Sequence, residues 1–382
     1  MHTEEEYDVA IVGGGLAGLA LAIQLARERY KIILFEKEKY PFHKVCGEYI
    51  SLESWDFLKG LGLDLDNMQL PVIKKLEVSA TNGSMLKHKL PLGGFGISRY
   101  RLDESLAKLA VAEGAVLKDG CKVSDVHFTN DSFTVETSQT SQQPYRARVV
   151  CGSFGKRSNL DIKWKRAFTS SSKRRLNNYI GVKYHIQSDF PCDTIALHNF
   201  ENGYCGIVKI EEDLYNLCYL TTALNLQRSH NSIAEMERNI LMNNPHLQRI
   251  FSESRFLFDT PLAISQISFA QKAQVEGHIL MTGDAAGMIT PLCGNGMSMA
   301  LHSSKLAAAQ INLFLQGQLD RAGMESQYTR LWKKSFSNRM RVGRRLQTLF
   351  GHPLMINSLI KVGKAFPRIL DPLIRKTHGH PF

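Results

Sequence analysis

The 382-residue sequence lacks the signals of several common protein classes. It contains no run of about 18 apolar residues, so no membrane-spanning helix is expected. Its acidic start, MHTEEEYD, does not resemble a secretory signal peptide. The seven cysteines form no CxxC pair, and neither HExxH nor GxSxG occurs. These absences argue against a disulfide framework, a metal site and a serine hydrolase, and they predict a cytoplasmic protein with reduced thiols.

Positive charge is in excess only near the C-terminus. The net charge is +11, and the segment from Arg330 onward contains twelve Lys or Arg residues but one acid, Asp371. The last 53 residues therefore carry the whole excess of positive charge.

Two stretches of this segment predict basic amphipathic helices. The first combines Arg339, Arg341, Arg344 and Arg345 with apolar Val342, Leu346, Leu349 and Phe350; the second has Met355, Leu359, Val362 and Phe366 before Pro367. One interpretation is peripheral contact with an anionic membrane, to which each nearby basic residue contributes on the order of 1 kcal/mol. The other is that the apolar faces pack on the rest of the protein. No recognition motif suggests a nucleic-acid partner.

The N-terminal region predicts the opening of a parallel dinucleotide-binding sheet. A short apolar strand at 8–12 is followed by the turn GGGLAG, a helix at 16–29 and a second strand at 32–36. In the turn, Gly13 permits the tight bend, Gly15 lets the backbone approach a pyrophosphate, and Gly18 lets the helix pack on the strand. Glu36 ends the second strand, where it can accept hydrogen bonds from a ribose.

A second glycine-rich stretch, GDAAGMITPLCGNGM at 283–297, indicates which dinucleotide is bound. A strand at 279–282 brings Asp284 to the carboxyl end of the sheet, where ligands bind. There Asp284 can accept a hydrogen bond from a ribityl hydroxyl. PLCGNG then begins a helix whose N-terminal amides suit the pyrimidine edge of a flavin. The two stretches together predict FAD.

With these paired motifs the chain resembles the FAD-dependent aromatic hydroxylase superfamily, typified by para-hydroxybenzoate hydroxylase, and especially its geranylgeranyl-reductase-like branch. The resemblance covers residues 7–315. It implies an α/β fold: a doubly wound, Rossmann-like FAD-binding domain, an antiparallel-sheet substrate domain and a helical C-terminal extension. Alternation of Ile180, Val182, Tyr184 and Ile186 favours the antiparallel sheet. The expected boundaries are 1–68, 96–160 and 270–330 for the first domain, 69–95 and 161–269 for the second, and 331–382 for the basic extension.

The resemblance also implies a set of FAD-binding residues. Gly13, Gly15, Gly18 and Glu36 are expected at the ADP half, and Arg99 is expected at the FAD phosphates or ribose. Those expected at the flavin half are Asp284, Pro291, Gly294 and Gly296. Further residues expected to bind the cofactor are Leu16, Ala17, Lys37, Val123 and Asn295. Arg99 precedes a helix in SRYRLDESLAKLAVAEGA, as the family's arginine does; the alternative is an ordinary surface charge.

Cys46 is the candidate catalytic residue. KVCGEYIS at 44–51 resembles the Cys-Gly segment of the reductase branch, where this loop approaches the flavin and the substrate. The resemblance implies a thiol that polarises or protonates a substrate carbon as a weak acid. The alternative is a small buried thiol beside a required Gly47.

The chain departs from the family pattern in two places. Most members have Ala-Asp-Gly near position 154, whereas GSFGKRS here puts Phe154 in place of the acid. Electrons are therefore expected either from NAD(P)H directly or through a separate reductase. NGYCGIVKIEED at 202–213 lacks the Trp and Pro of the motif that grips a polyprenyl chain, and the Trp-x-Trp-x-Ile-Pro signature of halogenases does not occur.

The resemblance implies an FAD-dependent oxidoreductase, for which four functions compete. The leading hypothesis is a monooxygenase that hydroxylates a lipophilic aromatic or quinoid small molecule. The second is a reductase of carbon–carbon double bonds in a polyprenyl or other lipid substrate, with Cys46 as proton donor. The third is a flavin-dependent halogenase. The fourth is a flavoprotein that only carries electrons or senses redox state at a membrane.

Overall fold

The computed structural model describes residues 6–138, 143–169, 178–347, 350, 353–366, 374 and 379–382. The strands are β1 (Glu6–Val12), β2 (Ile32–Phe35), β3 (Tyr49–Ser51), β4 (Val72–Ser79), β5 (Met85–Gly96), β6 (Val116–Lys118), β7 (Val123–Thr129), β8 (Ser132–Thr137), β9 (Tyr145–Gly152), β10 (Tyr179–Gln187), β11 (Thr194–Phe200), β12 (Gly203–Lys209), β13 (Tyr215–Thr222), β14 (Arg255–Phe256), β15 (Leu262–Ile267), β16 (Val275–Glu276) and β17 (Ile279–Met281). The α-helices are α1 (Leu16–Arg27), α2 (Trp55–Gly60), α3 (Arg99–Ala112), α4 (Asn159–Lys163), α5 (Ala223–Arg228), α6 (Ile233–Asn239), α7 (Pro245–Glu253), α8 (Gly296–Leu315), α9 (Arg321–Gln347) and α10 (Pro353–Ala365). Short 3-10 helices occupy Leu52–Ser54, Leu241–Asn243, Gly283–Ala285 and Pro291–Cys293.

The first sheet has a parallel centre. Its strand order is β16-β17-β9-β1-β2-β6, in which β17, β9, β1, β2 and β6 run parallel. The β7–β8 hairpin extends it through an antiparallel pairing of β8 with β9. Strands β1 and β2 are apolar and mostly buried, as is usual where helices cover both faces of a parallel sheet. The expected α/β fold is confirmed.

The helices that follow the two glycine-rich stretches are neighbours. Helix α1 begins within the first stretch, and α8 begins within the second, about 280 residues later. They pack against each other, and α1 also contacts α3. The buried residues of α1 include Ala17, Ala20 and Ala22, whose small side chains allow close packing.

The second sheet is mostly antiparallel. Its strand order is β14-β10-β13-β12-β11-β4-β5-β3, and β15 also pairs with β10. Helices α6 and α7 pack on it through Met236, Leu247 and Ile250. Strand β3 pairs with β5 and so belongs to this sheet, although the expected boundaries place it within 1–68.

The described part of the C-terminal extension contains most of α9 and all of α10, and α9 begins ten residues before the expected boundary at 331. Helix α9 contributes Trp332 and Phe336 to the core around the first sheet. The hydroxyl of Tyr328, also on α9, donates to the carbonyl of Met281 at 2.5 Å. Helix α10 packs against the second sheet through Ile356 and Ile360.

The predicted apolar row of α10 lies mostly outside the protein core. Met355, Val362 and Phe366 are 47%, 47% and 61% exposed, because packing through a different face turns this row outward. Leu359 is half-buried. Leu349 and Pro367 lie outside the described residues. Among helices in the described ranges, none combines the length and apolar character needed to traverse a bilayer.

Candidate active site

The two glycine-rich stretches meet at the carboxyl edge of the first sheet. Strands β1, β9 and β17 are neighbours there, and each is followed by a turn. Backbone hydrogen bonds join the turns, from Ser153 N to Val12 O at 2.7 Å and from Thr282 N to Gly152 O at 3.0 Å. A Cβ added at Gly283 would lie 3.1 Å from that of Ala17. Since parallel strands present ligands at this edge, both stretches form one site.

A cleft of about 1040 Å³ opens at this edge and extends along the second sheet. Ligand sites commonly measure about 300–1,000 Å³, so the cleft has room for a large cofactor. The predicted cofactor residues that line it are Gly13, Gly15, Leu16, Ala17, Glu36, Lys37, Arg99, Val123, Asp284, Pro291, Gly294 and Gly296. Cys46 also lines it. Gly18 and Asn295 are instead buried beside the lining residues.

The first glycine turn excludes side chains where backbone segments approach each other. Gly13 has a φ of +111°, and a Cβ there would lie 2.5 Å from the carbonyl of Ser153. A Cβ on Gly18 would lie 2.0 Å from the oxygen of Gly13, so glycine lets α1 pack on the turn. The residue before α1 is Gly15, so no side chain caps the first backbone amides of this helix. Those amides and the positive helix end are suited to a pyrophosphate.

Glu36 supports this turn from the side. Its buried carboxylate accepts hydrogen bonds from Gly14 N at 2.9 Å and from Glu38 N at 3.1 Å. The Tyr40 hydroxyl and, at 3.4 Å, the Nζ of Lys44 donate to the carbonyl of Gly14. Glu36 therefore orients the turn as well as lining the cleft.

Arg99 lies in the cleft wall, with its guanidinium held by a buried acid. It makes two hydrogen bonds of 2.7 Å to Asp103, and the Nζ of Lys44 reaches the same carboxylate at 3.0 Å. Burial acts to raise the pKa of Asp103, but Arg99 and Lys44 outweigh it and hold that pKa below its usual value. Arg99 also interacts with the thiol of Cys46. The result is a fixed cation 3.8 Å from the Cβ position of Gly15.

The loop that carries Cys46 is held by its backbone carbonyls. The carbonyls of residues 44, 45 and 46 accept hydrogen bonds of 3.2, 3.2 and 3.1 Å from the side chains of Lys183, Lys156 and Asn216. These donors belong to β10, the turn after β9, and β13, so the loop is attached to both sheets. A Cβ on Gly47 would meet no atom of the described residues within 4 Å. The protein itself therefore does not demand a glycine there, whereas a ligand lying against the loop would.

A buried ionic cluster that sequence patterns did not predict lies behind this loop. Glu48 is ion-paired with Lys183, its Oε2 lies 2.7 Å from the Nε2 of His185, and its Oε1 accepts from Arg99 N at 2.7 Å. Burial acts to raise the pKa of Glu48, but Lys183 and His185 hold it below its usual value. His43 packs on His185 with ring centroids 5.1 Å apart. Burial and the charge of Lys183 lower the pKa of His43 to about 4.

The turn that carries Asp284 is anchored in a similar way. The carbonyls of residues 284, 285 and 286 accept hydrogen bonds of 2.8, 3.1 and 3.2 Å from the side chains of Lys272, Arg166 and Gln274. Lys272 also donates to the carbonyl of Lys156 at 3.0 Å, which joins this turn to the one after β9. Burial lowers the pKa of Lys272 to about 8, although Asp284 opposes the shift. Sequence reasoning missed Lys272 because it belongs to neither motif.

The turn after β9 is basic where the resembled family has an acid. The ring of Phe154 packs on that of Trp164, with centroids 6.0 Å apart. Lys156 and Arg157 follow and line the cleft. Phe154 thus occupies the family's aspartate position, and the positive charges of Lys156 and Arg157 favour an anionic group nearby.

The cleft becomes apolar where it runs along the second sheet. Its lining there includes Ile195, Leu197, Ile207, Val208, Leu220, Ile264, Ile267 and Met288. These side chains come from β11, β12, β13, β15 and the segment after β17. Such a surface excludes water and favours an apolar ligand.

The polar part of the cleft fits FAD. The uncapped start of α1, together with Arg99, suits the pyrophosphate, and Glu36 is placed for a ribose. Asp284 and the start of α8 line the same cleft near the loop of Cys46. The missing Cβ of Gly47 leaves that loop open to a flat ring.

Comparisons with known proteins agree with this fit. The model of the family described as FAD binding domain matches residues 6–331. The chain is 27% identical to conditioned medium factor receptor 1 of Dictyostelium discoideum, over 93% of the chain and 73% of that protein. It is 24% identical to menaquinone reductase of Mycobacterium tuberculosis, over 92% of the chain and 86% of that protein. It is 23% identical to 3-demethoxyubiquinol 3-hydroxylase of Escherichia coli, over 78% of the chain and 77% of that protein.

Two solved structures share the fold over nearly the whole chain. The flavin-dependent brominase Bmp2 superposes with a TM-score of 0.81 at 19% identity, covering 98% of this chain and 93% of that one. A geranylgeranyl bacteriochlorophyll reductase-like protein from Thermoplasma acidophilum gives 0.77 at 18% identity, covering 97% and 98%. At these identities the likeness establishes the fold alone. With the family match, it identifies FAD as the cofactor.

Proposed function

Because the chain belongs to the FAD binding domain family and is an FAD-dependent oxidoreductase of the aromatic hydroxylase superfamily, we propose that it hydroxylates a lipophilic aromatic or quinoid small molecule. The observation that carries this proposal is the apolar wall of the cleft, which continues directly from the cofactor-binding edge. In the net reaction, one oxygen atom of O₂ enters a ring C–H bond and the other leaves as water. The two electrons come from NAD(P)H.

We assign the cofactor to two groups of residues. Gly13, Gly15, Glu36 and Arg99 would hold the ADP half, while Asp284, Pro291, Gly294 and Gly296 would hold the flavin half. Bound FAD supplies the oxygen chemistry, as cofactors do in such enzymes. The chain's own residues anchor the two turns, exclude water along the apolar wall and orient the substrate ring.

Replacement of Asp284 tests the cofactor assignment. Asp284→Ala should give a folded protein that retains little FAD after purification, because a hydrogen-bond acceptor of the flavin half is lost. Asp213→Ala is the matched control, since that carboxylate is 94% exposed. Flavin absorbance per protein chain measures occupancy. Full occupancy in Asp284→Ala would contradict the assignment.

Product analysis tests the reaction. The holoprotein is incubated with NAD(P)H, isotopically labelled O₂ and a panel of lipophilic phenols and quinols, and the products are examined by mass spectrometry. Incorporation of one labelled oxygen atom is the expected result. A halogenated product formed only in the presence of halide, or unlabelled products throughout, would overturn the hydroxylation proposal.

Double-bond reduction is the second candidate, and the position of Cys46 favours it. The thiol lines the cleft beside Arg99, in a loop anchored to both sheets. In this reaction the reduced cofactor would supply two electrons and one proton as a hydride to one carbon of the double bond, and the Cys46 Sγ would supply the second proton to the other carbon. Cys46→Ser should then abolish anaerobic saturation of a polyprenyl lipid, whereas Cys192→Ser, at an exposed position, should not. Unchanged rates in Cys46→Ser would make the thiol structural.

The electron route is open to a direct assay. Because Phe154 replaces an acid, we propose delivery by NAD(P)H either directly or through a separate reductase. Anaerobic addition of NADH or NADPH to the purified holoprotein should bleach the flavin absorbance if delivery is direct. Bleaching only after addition of a reductase would establish the indirect route.

A further inference from the structure

Helix α10 presents an apolar stripe to the exterior. We define this α10 stripe as Met355 and Val362 on the helix together with Phe366, the first residue after it. A hydrogen bond of 2.8 Å from Phe366 N to Val362 O continues the helical turn, so the three residues lie within one narrow sector at 3.6 residues per turn. The face that attaches the helix is a different one, formed by Ile356 and Ile360. Packing of the helix on the sheet therefore does not account for the stripe.

The chain segment that carries the α10 stripe has charge of one sign. Residues 330–366 contain nine Lys or Arg residues and no Asp or Glu. Lys361 and Lys364 are exposed on α10, and Arg341 and Arg345 are exposed on α9. Apolar residues bordered by cations complement a bilayer surface, where anionic headgroups lie above an apolar interior. A second copy of this chain would bring like charge to the contact and be repelled.

An apolar cavity lies between this helix and the cleft. Its volume is about 130 Å³, and the extension lines it with Leu346, Phe350, Leu359, Ile360 and Ile374. On the opposite side, Tyr49, Ile195, Leu197, Pro291 and Gly294 line both this cavity and the cleft. Leu359 is adjacent to the α10 stripe on the helix. Apolar side chains thus continue from the exterior to the candidate active site.

We propose that the α10 stripe docks this protein on the surface of an anionic lipid bilayer. In the docked state α10 lies in the plane of the interface, with the stripe among the acyl chains and Lys361, on the flank of the helix, extended toward the headgroups. A lipophilic molecule dissolved in the bilayer then has an apolar route to the cleft. The docking does not depend on which reaction the site performs, because it requires no turnover.

Vesicle binding tests the docking. The purified holoprotein is sedimented with vesicles of phosphatidylcholine alone and of phosphatidylcholine mixed with phosphatidylglycerol. The stripe variant combines Val362→Glu and Phe366→Glu. The matched control combines Val111→Glu and Leu224→Glu, which change the same charge at apolar positions that are 51% and 46% exposed elsewhere. Circular dichroism and flavin content verify that each variant is folded.

Affinity for anionic vesicles should separate the stripe variant from the wild type and the control. The wild type and the control should bind the anionic vesicles, more weakly as salt is added, and the stripe variant should bind at least about tenfold more weakly. Failure of the wild type to bind anionic vesicles would overturn the proposal. So would equal binding by the stripe variant and the control, or a wild-type dimer that the stripe substitutions dissociate without any vesicle binding.

Discussion

Replacement of Lys272 tests whether the anchoring of two turns in the cleft wall contributes to FAD binding. Its buried Nζ joins two segments of the cleft wall by donating to Lys156 O at 3.0 Å and to Asp284 O at 2.8 Å. Lys272→Met keeps an apolar stem of similar length and removes both donors and the charge. We expect a folded protein with weaker binding of FAD.

The magnitude follows from two opposing contributions. Hydrogen bonds from a charged donor contribute about 1.5–3 kcal/mol each, so the two bonds together represent about 3–6 kcal/mol. Burial lowers the pKa of Lys272 from 10.5 to about 8. At about 1.36 kcal/mol per pKa unit, removing this buried charge stabilises the folded protein by on the order of 3 kcal/mol. We therefore expect the free energy of unfolding to change by less than about 3 kcal/mol. The turn of Asp284 loses its anchor, so the FAD affinity should fall about tenfold, or about 1.4 kcal/mol.

The pH dependence gives an independent readout. Without FAD the pKa of Lys272 is about 8. The FAD pyrophosphate is an anion, and negative charge favours the protonated amine, so binding raises this pKa. Because binding raises this pKa, FAD should bind most tightly below about pH 8. Its affinity should then fall as the pH rises through the pKa of Lys272 in the bound state.

Titration of apoprotein with FAD, followed by flavin fluorescence at several values between about pH 7 and pH 10, measures both effects. Lys108→Met is the matched control, because that lysine is 73% exposed on α3. A wild-type affinity that does not change above about pH 8 would refute the electrostatic part of the argument. An identical decline in Lys272→Met would assign the titration to another group.

Two further substitutions test the packing and the buried charges of the site. Gly18→Ala puts a Cβ 2.0 Å from a backbone oxygen, so thermal unfolding should show a loss of about 1–3 kcal/mol. Gly60→Ala, whose added Cβ would meet no described atom within 4 Å, should be tolerated. Equal melting temperatures would be inconsistent with this packing. Glu48→Gln leaves Lys183 buried without its charge partner, and urea unfolding should show a loss of about 3–5 kcal/mol. Folding lowers the pKa of Glu48, so the ionised carboxylate stabilises the fold above the ordinary pKa of Glu, and this stabilisation is lost as the pH falls through the pKa of the folded state. An acid-unfolding transition of the wild type identical to that of Glu48→Gln would contradict this.

The cofactor and the fold class were predictable because their signals are local. A strand, the turn at Gly13–Gly18, a helix and a second strand follow one another within thirty residues, and each element depends on neighbours in sequence. The second stretch, around Asp284, has the same local character. The α/β fold and FAD were therefore correctly predicted before any tertiary contact was known.

The buried charges could not be predicted in this way. Lys183 and His185 lie between the apolar positions of β10, where alternation alone predicts an exposed face. Both are buried because Glu48, more than 130 residues away, reaches them from the loop of Cys46. Lys272 is buried for a similar reason, since its two acceptors belong to different turns. A charged side chain is buried only where distant partners compensate the loss of hydration, and sequence patterns do not reveal those partners.

The same distinction applies to the C-terminal extension. The sequence alone determined that α10 has an apolar row beside lysines, because helical periodicity and charge are properties of the chain itself. Only the tertiary structure decided which face is buried: Ile356 and Ile360 find apolar partners on the second sheet, and Met355, Val362 and Phe366 are left outside. Periodicity specifies the positions of apolar residues around a helix, but the surface that covers them is supplied by segments far away in the sequence.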